Sequence, residues 1–281
     1  MSAALQTTVD NPSLAARLAM VFTDSVTITK RNVIKIRRVP DVLIFSTLSP
    51  IMFVLLFAYV FGSAIQLQGT SYREFLIAGI FAQTVVFGAT FTGLSLAEDM
   101  QKGIIDRFRS LPMAPSAVLI GRTLADVCIN LVSLVVMSLT GLAVGWRIRG
   151  SFLDAVLAYV LLLLFAYAVS WIMAVVGLLV RAPEVYNNAS FMVIFPLTFI
   201  ANTFVPTATL PTVLRVIAEW NPVSAVTQAS RDLFGNTSPM GPSTDVWPMQ
   251  HPVATTLMWV VVILAVFVPL ALAQYKRSVS R

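Results

Sequence analysis

From residue 155 to residue 180 the chain carries no charged side chain. A helix needs about 20 apolar residues to cross the hydrocarbon core of a bilayer, and this run exceeds that length. Lipid, not water, must be the solvent for this part of the chain. Only a helix or a closed barrel satisfies its own backbone there, and an uninterrupted apolar run without alternation selects the helix.

Five further segments repeat the pattern, so the sequence predicts an all-α integral membrane protein with six transmembrane helices, at residues 42–63, 74–97, 117–146, 154–180, 188–206 and 253–275. Pro50 is a tolerated kink in the first. In the third, Arg122 and Asp126 lie in the opening turns, where long side chains are expected to reach the interface. The fifth is interrupted by Pro196, Asn202, Thr203 and Pro206, as expected of a segment that does not cross cleanly. Composition agrees: 57% of residues are hydrophobic and 11% charged, against about 25% charged in a soluble domain.

The charge distribution orients the bundle. With both termini inside, 14 of the 19 Lys and Arg residues fall on the cytoplasmic face and five outside, where acidic residues cancel them. The net charge of +6 therefore reflects attraction to anionic lipid rather than to nucleic acid. The expected location is a bacterial cell membrane.

Residues 13–39 lack the continuous apolar core and cleavage site of a secretory signal. Apolar residues recur there at helical spacing and are followed by Arg31, Lys35, Arg37 and Arg38, which predicts an interfacial helix on the inner leaflet. Between the second and third spans, Met100, Ile104, Phe108 and Leu111 share one face while Lys102, Asp106 and Arg109 take others. Residues 98–111 thus read as a short amphipathic helix stopped by Pro112, whose apolar stripe must meet either lipid headgroups or another protein. Residues 211–235 read as short outer helices before the last span, with stop signals at Asn221-Pro222 and Gly235-Asn236.

Several chemistries are excluded. One cysteine, Cys128, rules out an internal disulfide, and the single histidine, His251, sits between prolines in a predicted loop. None of the lysines, Lys30, Lys35, Lys102 and Lys276, follows a glycine, so no phosphate-binding loop is present. A proton-coupled carrier keeps acidic groups in mid-membrane despite a cost of roughly 2.5 to 3.5 kcal/mol each. Only Asp126 approaches that position, and it reads equally as a partner for Arg122 one turn away or as a relay carboxylate.

The run from Glu98 to Met113, with Gly121-Arg122 and Ala125-Asp126, resembles the loop and third-span start of type-2 ATP-binding-cassette exporter permeases, nearest to the daunorubicin/doxorubicin-resistance branch. Phe195-Pro196-Leu197-Thr198-Phe199 and Ala218-Glu219-Trp220-Asn221-Pro222-Val223 resemble the fifth span and outer segment of the same family. Ala114-Pro115 departs from the basic residue that many relatives carry there.

The resemblance implies a single permease domain spanning 1–281, non-catalytic itself, paired with a second permease copy, identical or homologous, and with two copies of an ATPase subunit that hold ATP and Mg. It assigns Glu98, Asp99, Met100, Gly103, Ile104, Arg107, Phe108, Arg109, Leu111 and Pro112 to a coupling helix that docks on the ATPase, flanked by the interfacial helix. The outer helices become a gate. Phe87, Phe91, Met137, Phe195 and Asn202 are candidates for an apolar cargo path. The cargo itself remains open among an amphipathic drug, a lipid-like molecule and a lipid-linked polysaccharide, with an ion-coupled secondary carrier as the competing machine.

Overall fold

The computed structural model describes residues 14–38, 40–61, 71–105, 115–180, 182–237 and 245–278. Among these residues the regular structure is entirely helical. In chain order the helices are α1 (Leu14–Arg38), α2 (Pro40–Leu56, closed by a π-helical stretch Phe57–Phe61), α3 (Tyr72–Gly88), α4 (Thr90–Gln101), α5 (Pro115–Val144), α6 (Phe152–Leu179), α7 (Pro183–Phe199), α8 (Thr212–Trp220), α9 (Pro222–Phe234), α10 (Trp247–Gln250) and α11 (Pro252–Ser278).

Four stretches of described helix are long and apolar enough to cross a membrane: Tyr72–Gln101, Ser116–Val144, Phe152–Leu179 and Pro252–Arg277. Leu48–Val60 is a shorter apolar helix, and α7 has 17 residues.

Helix α6, the uncharged run, is the hub of the bundle. Asp154, the charge that bounds the run, caps it: Ser151 Oγ accepts the Asp154 amide at 3.2 Å while the Asp154 carboxylate accepts the Ser151 amide at 3.3 Å. From there α6 packs against α11, α4, α9, α5 and α3. Its buried residues divide between two cores. Leu162, Phe165, Val169 and Met173 join the main core, and Trp171, Ala174 and Leu178 join a second core with Ile28, Leu119 and Tyr275. It comes close to α4, where a Cβ added to Gly177 would stand 2.6 Å from Gly93 Cα. Small residues let membrane helices pack backbone to backbone, and here the two helices use all of that space.

The apolar stretch Tyr72–Gln101 is interrupted at Ala89, between α3 and α4. Thr92 N–H reaches Ala89 O in a tightened turn at 3.3 Å, and the Thr90 hydroxyl donates to Phe87 O at 2.7 Å. Next to this interruption, Gly88 leaves the space that the Asn130 amide of α5 occupies.

At the end of the bundle away from α1, α9 is driven into the protein. Asn221 accepts the Val223 amide at 2.8 Å to start the helix, and Gly235 with φ +70° ends it. Nearly every α9 side chain between these caps is buried. Phe234 sits edge-on to Phe81, Trp146 and Tyr159 with ring centroids 5.2 to 5.8 Å apart. Arg231, 1% exposed, donates to Phe75 O at 2.9 Å, Asn202 O at 2.6 Å and Thr203 O at 3.3 Å. The irregular stretch after α7 therefore finds its hydrogen bonds inside the protein, helped by Asn221 Nδ2 donating to Leu197 O and Ile200 O. By contrast, α8 leaves Val213, Val216, Ile217 and Trp220 exposed.

Candidate functional site

The end of the bundle that carries α1 is built on α5. Ile28 lies against Gly121, where a Cβ would meet the Ile28 Cβ at 2.7 Å, and the Thr29 hydroxyl donates to Gly121 O at 3.2 Å. Arg122 Nη1 donates to Asn32 Oδ1 at 3.3 Å. Helix α1 thus clamps the start of α5 through one small residue and one charged one. Arg31 is exposed on its outer side; the side chains of Lys35, Arg37 and Arg38 lie outside the described residues.

Burial corrects the expectation that Arg122 and Asp126 reach the interface. Both are buried, because α1 covers the first and α4 the second. Asp126 accepts a hydrogen bond from the Thr92 hydroxyl of α4, while Arg122 turns to Asn32, so the two do not form the ion pair that their spacing allows. Tyr186 of α7 completes this layer by donating to Thr90 O at 2.7 Å.

The amphipathic segment begins differently from its sequence reading. Glu98, Asp99 and Met100 belong to the last turn of α4, continuous with the span, where Lys102 pairs with Glu98 at 3.3 Å and Asp99 is buried. The chain then breaks at Gly103, whose φ of +64° suits glycine and ends α4, and turns helical again at Ile104 and Ile105. Ile105 is buried in the core that contains Ile28, which ties the segment to α1. Arg107, Phe108, Arg109, Leu111 and Pro112 lie outside the described residues.

A cavity of about 210 Å³ lies between α2, α3, α4 and α5, beside the interruption at Ala89. Phe87 and Phe91 line it, and Pro50, Phe53 and Ile80 complete its apolar wall. The other candidates stand elsewhere. Met137 is fully buried in the main core, Phe195 stacks on Phe199 with ring centroids 4.1 Å apart, and Asn202 braces α9 through its backbone N–H to Ser224 Oγ at 3.0 Å. Sequence reasoning missed Gln83 and Thr84, both of which line the cavity. Their signal was adjacent polar residues in the middle of an apolar span.

Outside the spans, burial raises the Asp232 carboxyl on α9 above its ordinary range, and hydrogen bonds from Thr237 and Gln228 pull it back.

Known proteins resemble this chain in sequence. Residues 23–234 match the ABC-2 type transporter family. The daunorubicin resistance ABC transporter permease protein DrrB1 of Streptomyces coeruleorubidus is 35% identical over 268 residues, covering 95% of this chain and 91% of the relative. The putative transport permease ycf38 of Pyropia yezoensis is 24% identical, with 81% of each chain covered. The doxorubicin resistance ABC transporter permease protein DrrB of Mycobacterium tuberculosis H37Rv is 26% identical, covering 76% of this chain and 73% of its own. An all-helical bundle with membrane-length apolar helices, matched to that family along three-quarters of its length, belongs to the ABC-2 type transporter family as a membrane permease.

Proposed function

We propose that this chain is the membrane subunit of an ATP-driven exporter that moves a hydrophobic or amphipathic drug or lipid-like molecule out of the cytoplasm. The observation that carries the reading is the 35% identity, over 95% of the chain, to a protein named as a drug-resistance permease, in a sequence that has no phosphate loop of its own. Energy then comes from a separate ATPase, which holds ATP and Mg. Two permease copies and two ATPase subunits form the working unit. Six spans, with α2 and α7 as the first and fifth, put both termini in the cytoplasm, in keeping with the excess of Lys and Arg on that side.

In this reading the coupling element is the segment after Gly103, and α4 is the lever it moves. A push on residues 104–111 passes through Gly103 to the last turn of α4 and from there to the interruption at Ala89. Phe108 is the apolar knob expected to enter the ATPase cleft.

Phe108→Asp tests this. A carboxylate buried without a partner costs several kcal/mol, so the variant is expected to lose ATPase association or to lower ATP turnover by about tenfold or more in the co-purified complex. Normal assembly and turnover would remove Phe108 from the docking surface.

A further inference from the structure

Between α5 and the segment that faces it, two polar contacts run side by side. Asp126 is 2% exposed and accepts a hydrogen bond from the Thr92 hydroxyl of α4. One turn further along α5, Asn130 is 1% exposed and abuts Gly88, which lies one turn before Thr92. Asn130 Oδ1 is buried and has no hydrogen-bond partner among the described residues. One turn back from Asp126, Arg122 Nε is buried and equally without a partner among the described residues, while Nη1 donates to Asn32. A carboxylate and a guanidinium at that spacing attract strongly in a dry interior. These two stay apart. A buried carboxylate left without a cation takes up a proton rather than remain charged. The acid that results has one O–H to donate, and Asn130 Oδ1 is an acceptor in want of a donor. Little else that carries charge stands near. Tyr186 of α7 gives its hydroxyl to Thr90 O, and the buried Asp99 of α4 lies two turns beyond Thr92. Helix α6 is uncharged from residue 155, and α3 has no charge after Glu74.

We propose that Asp126 is a proton-binding site: its acid O–H is donated to Asn130 Oδ1 while its other oxygen accepts the Thr92 hydroxyl, joining α4 to α5 through a neutral carboxyl group. The proposal goes beyond the exporter reading and stands without it. Thr92 lies between the interruption at Ala89 and the last turn of α4, so the acid fastens this part of α4. Movement that parts the two helices admits water; the carboxyl then ionises and its proton passes to solvent. Return to the packed arrangement takes one proton back. The proton supplies no energy for transport and acts only as a condition of closing.

The test uses the purified full chain in lipid nanodiscs. The infrared spectrum of wild type at about pH 6, above the range in which free carboxyl groups hold protons, is compared with that of Asp126→Asn. The difference is expected to show the carbonyl stretch of one protonated carboxyl group. Thr92→Val removes the hydroxyl that bonds to this carbonyl and is expected to move the band to higher frequency. Asp126→Asn keeps the pattern, with an amide N–H in place of the acid O–H, so its thermal midpoint at about pH 5 is expected within about 2 °C of wild type. A proton held by the folded form and lost on unfolding makes stability fall as pH rises. From about pH 5 to 7 the wild-type midpoint is therefore expected to fall by about 3 °C per unit relative to Asp126→Asn. Absence of the band from the difference spectrum, a band that Thr92→Val leaves in place, parallel midpoints across pH, or failure of Asp126→Asn to fold would each overturn the proposal. An ionised carboxylate band in its place, lost in Asp126→Asn, would also overturn it and would mean that the Asn130 amide is turned to donate. None of these readings involves ATP or an ATPase, so their failure leaves the exporter reading standing, and loss of ATP-driven transport in the wild-type complex would strike that reading and not this site.

Discussion

Gly177→Leu is expected to abolish the monodisperse, detergent-stable form of the protein. Gly177 faces Gly93 across the crossing of α6 and α4, and a methyl group there already falls 2.6 Å from the Gly93 Cα. The obstacle is backbone on a helix packed on its other sides, so neither rotamer change nor side-chain movement opens the space. Overpacking by even a few atoms costs about 1 to 3 kcal/mol in a core that can adjust, and a full isobutyl group in one that cannot costs more. Separation of α4 from α6 would also pull Thr92 from Asp126 and disturb the interruption at Ala89. Size-exclusion profile and yield provide the check, with Cys128→Leu, on an exposed face of α5, as the control expected to behave as wild type. A normal profile for Gly177→Leu would mean that the two helices do not cross at this distance.

The second large effect is expected at the opposite layer. Arg231→Ala removes one guanidinium that serves the backbone carbonyls of Phe75, Asn202 and Thr203 and lies 3.5 Å from the centre of the Phe75 ring. These contacts tie α9 to α3 and to the irregular stretch after α7, so their loss loosens three elements at once. Hydrogen bonds to a charged donor contribute about 1.5 to 3 kcal/mol each, set against the cost of burying the charge, and a net loss of about 3 kcal/mol follows. For a chain of this size that corresponds to a fall of about 10 °C in thermal midpoint. Arg231→Lys keeps the charge but loses the forked geometry, and is expected to recover less than half of the difference. A midpoint within 2 °C of wild type, on the order of 0.5 kcal/mol, would show that α9 is held by its apolar side chains alone.

These two sites differ in how visible they are in the sequence. The uncharged run that became α6 declares itself by length, and its cap is readable in Ser151 and Asp154 because capping is local. The ends of α8 and α9 stand at Asn221-Pro222 and Gly235, again residues whose backbone preferences act over one turn. Burial of Arg122, Asp126 and Arg231 was not legible. A charge in a sequence is assigned to the nearest water, and these three are enclosed because separate segments, α1, α4 and the stretch after α7, close over them. The interruption at Ala89 was not legible either: no proline marks it, and it shows only in the tightened turn from Thr92 N–H to Ala89 O. Periodicity alone carried the amphipathic pattern across Gly103, although the left-handed backbone there divides α4 from the residues that follow.

The cavity shows the same division. Phe87 and Phe91 were found as aromatic faces of a membrane helix, whereas Met137, chosen on the same ground, turned into the main core. Rotation about a helix axis decides which residues face a void, and neighbouring helices set that rotation. Gln83 and Thr84 carried a stronger signal, because a polar pair in mid-span needs a partner or a cavity to sit beside.

The central claim is that this bundle works only when a separate nucleotide-hydrolysing subunit drives it. Proteoliposomes containing the chain with or without its ATPase subunit, loaded with a fluorescent amphipathic drug and energised by either ATP or a pH gradient, test it most directly. The account predicts ATP-dependent drug movement with both subunits present and none from the chain alone under either energy source. Drug movement by the chain alone, driven by the pH gradient and indifferent to ATP, would contradict it.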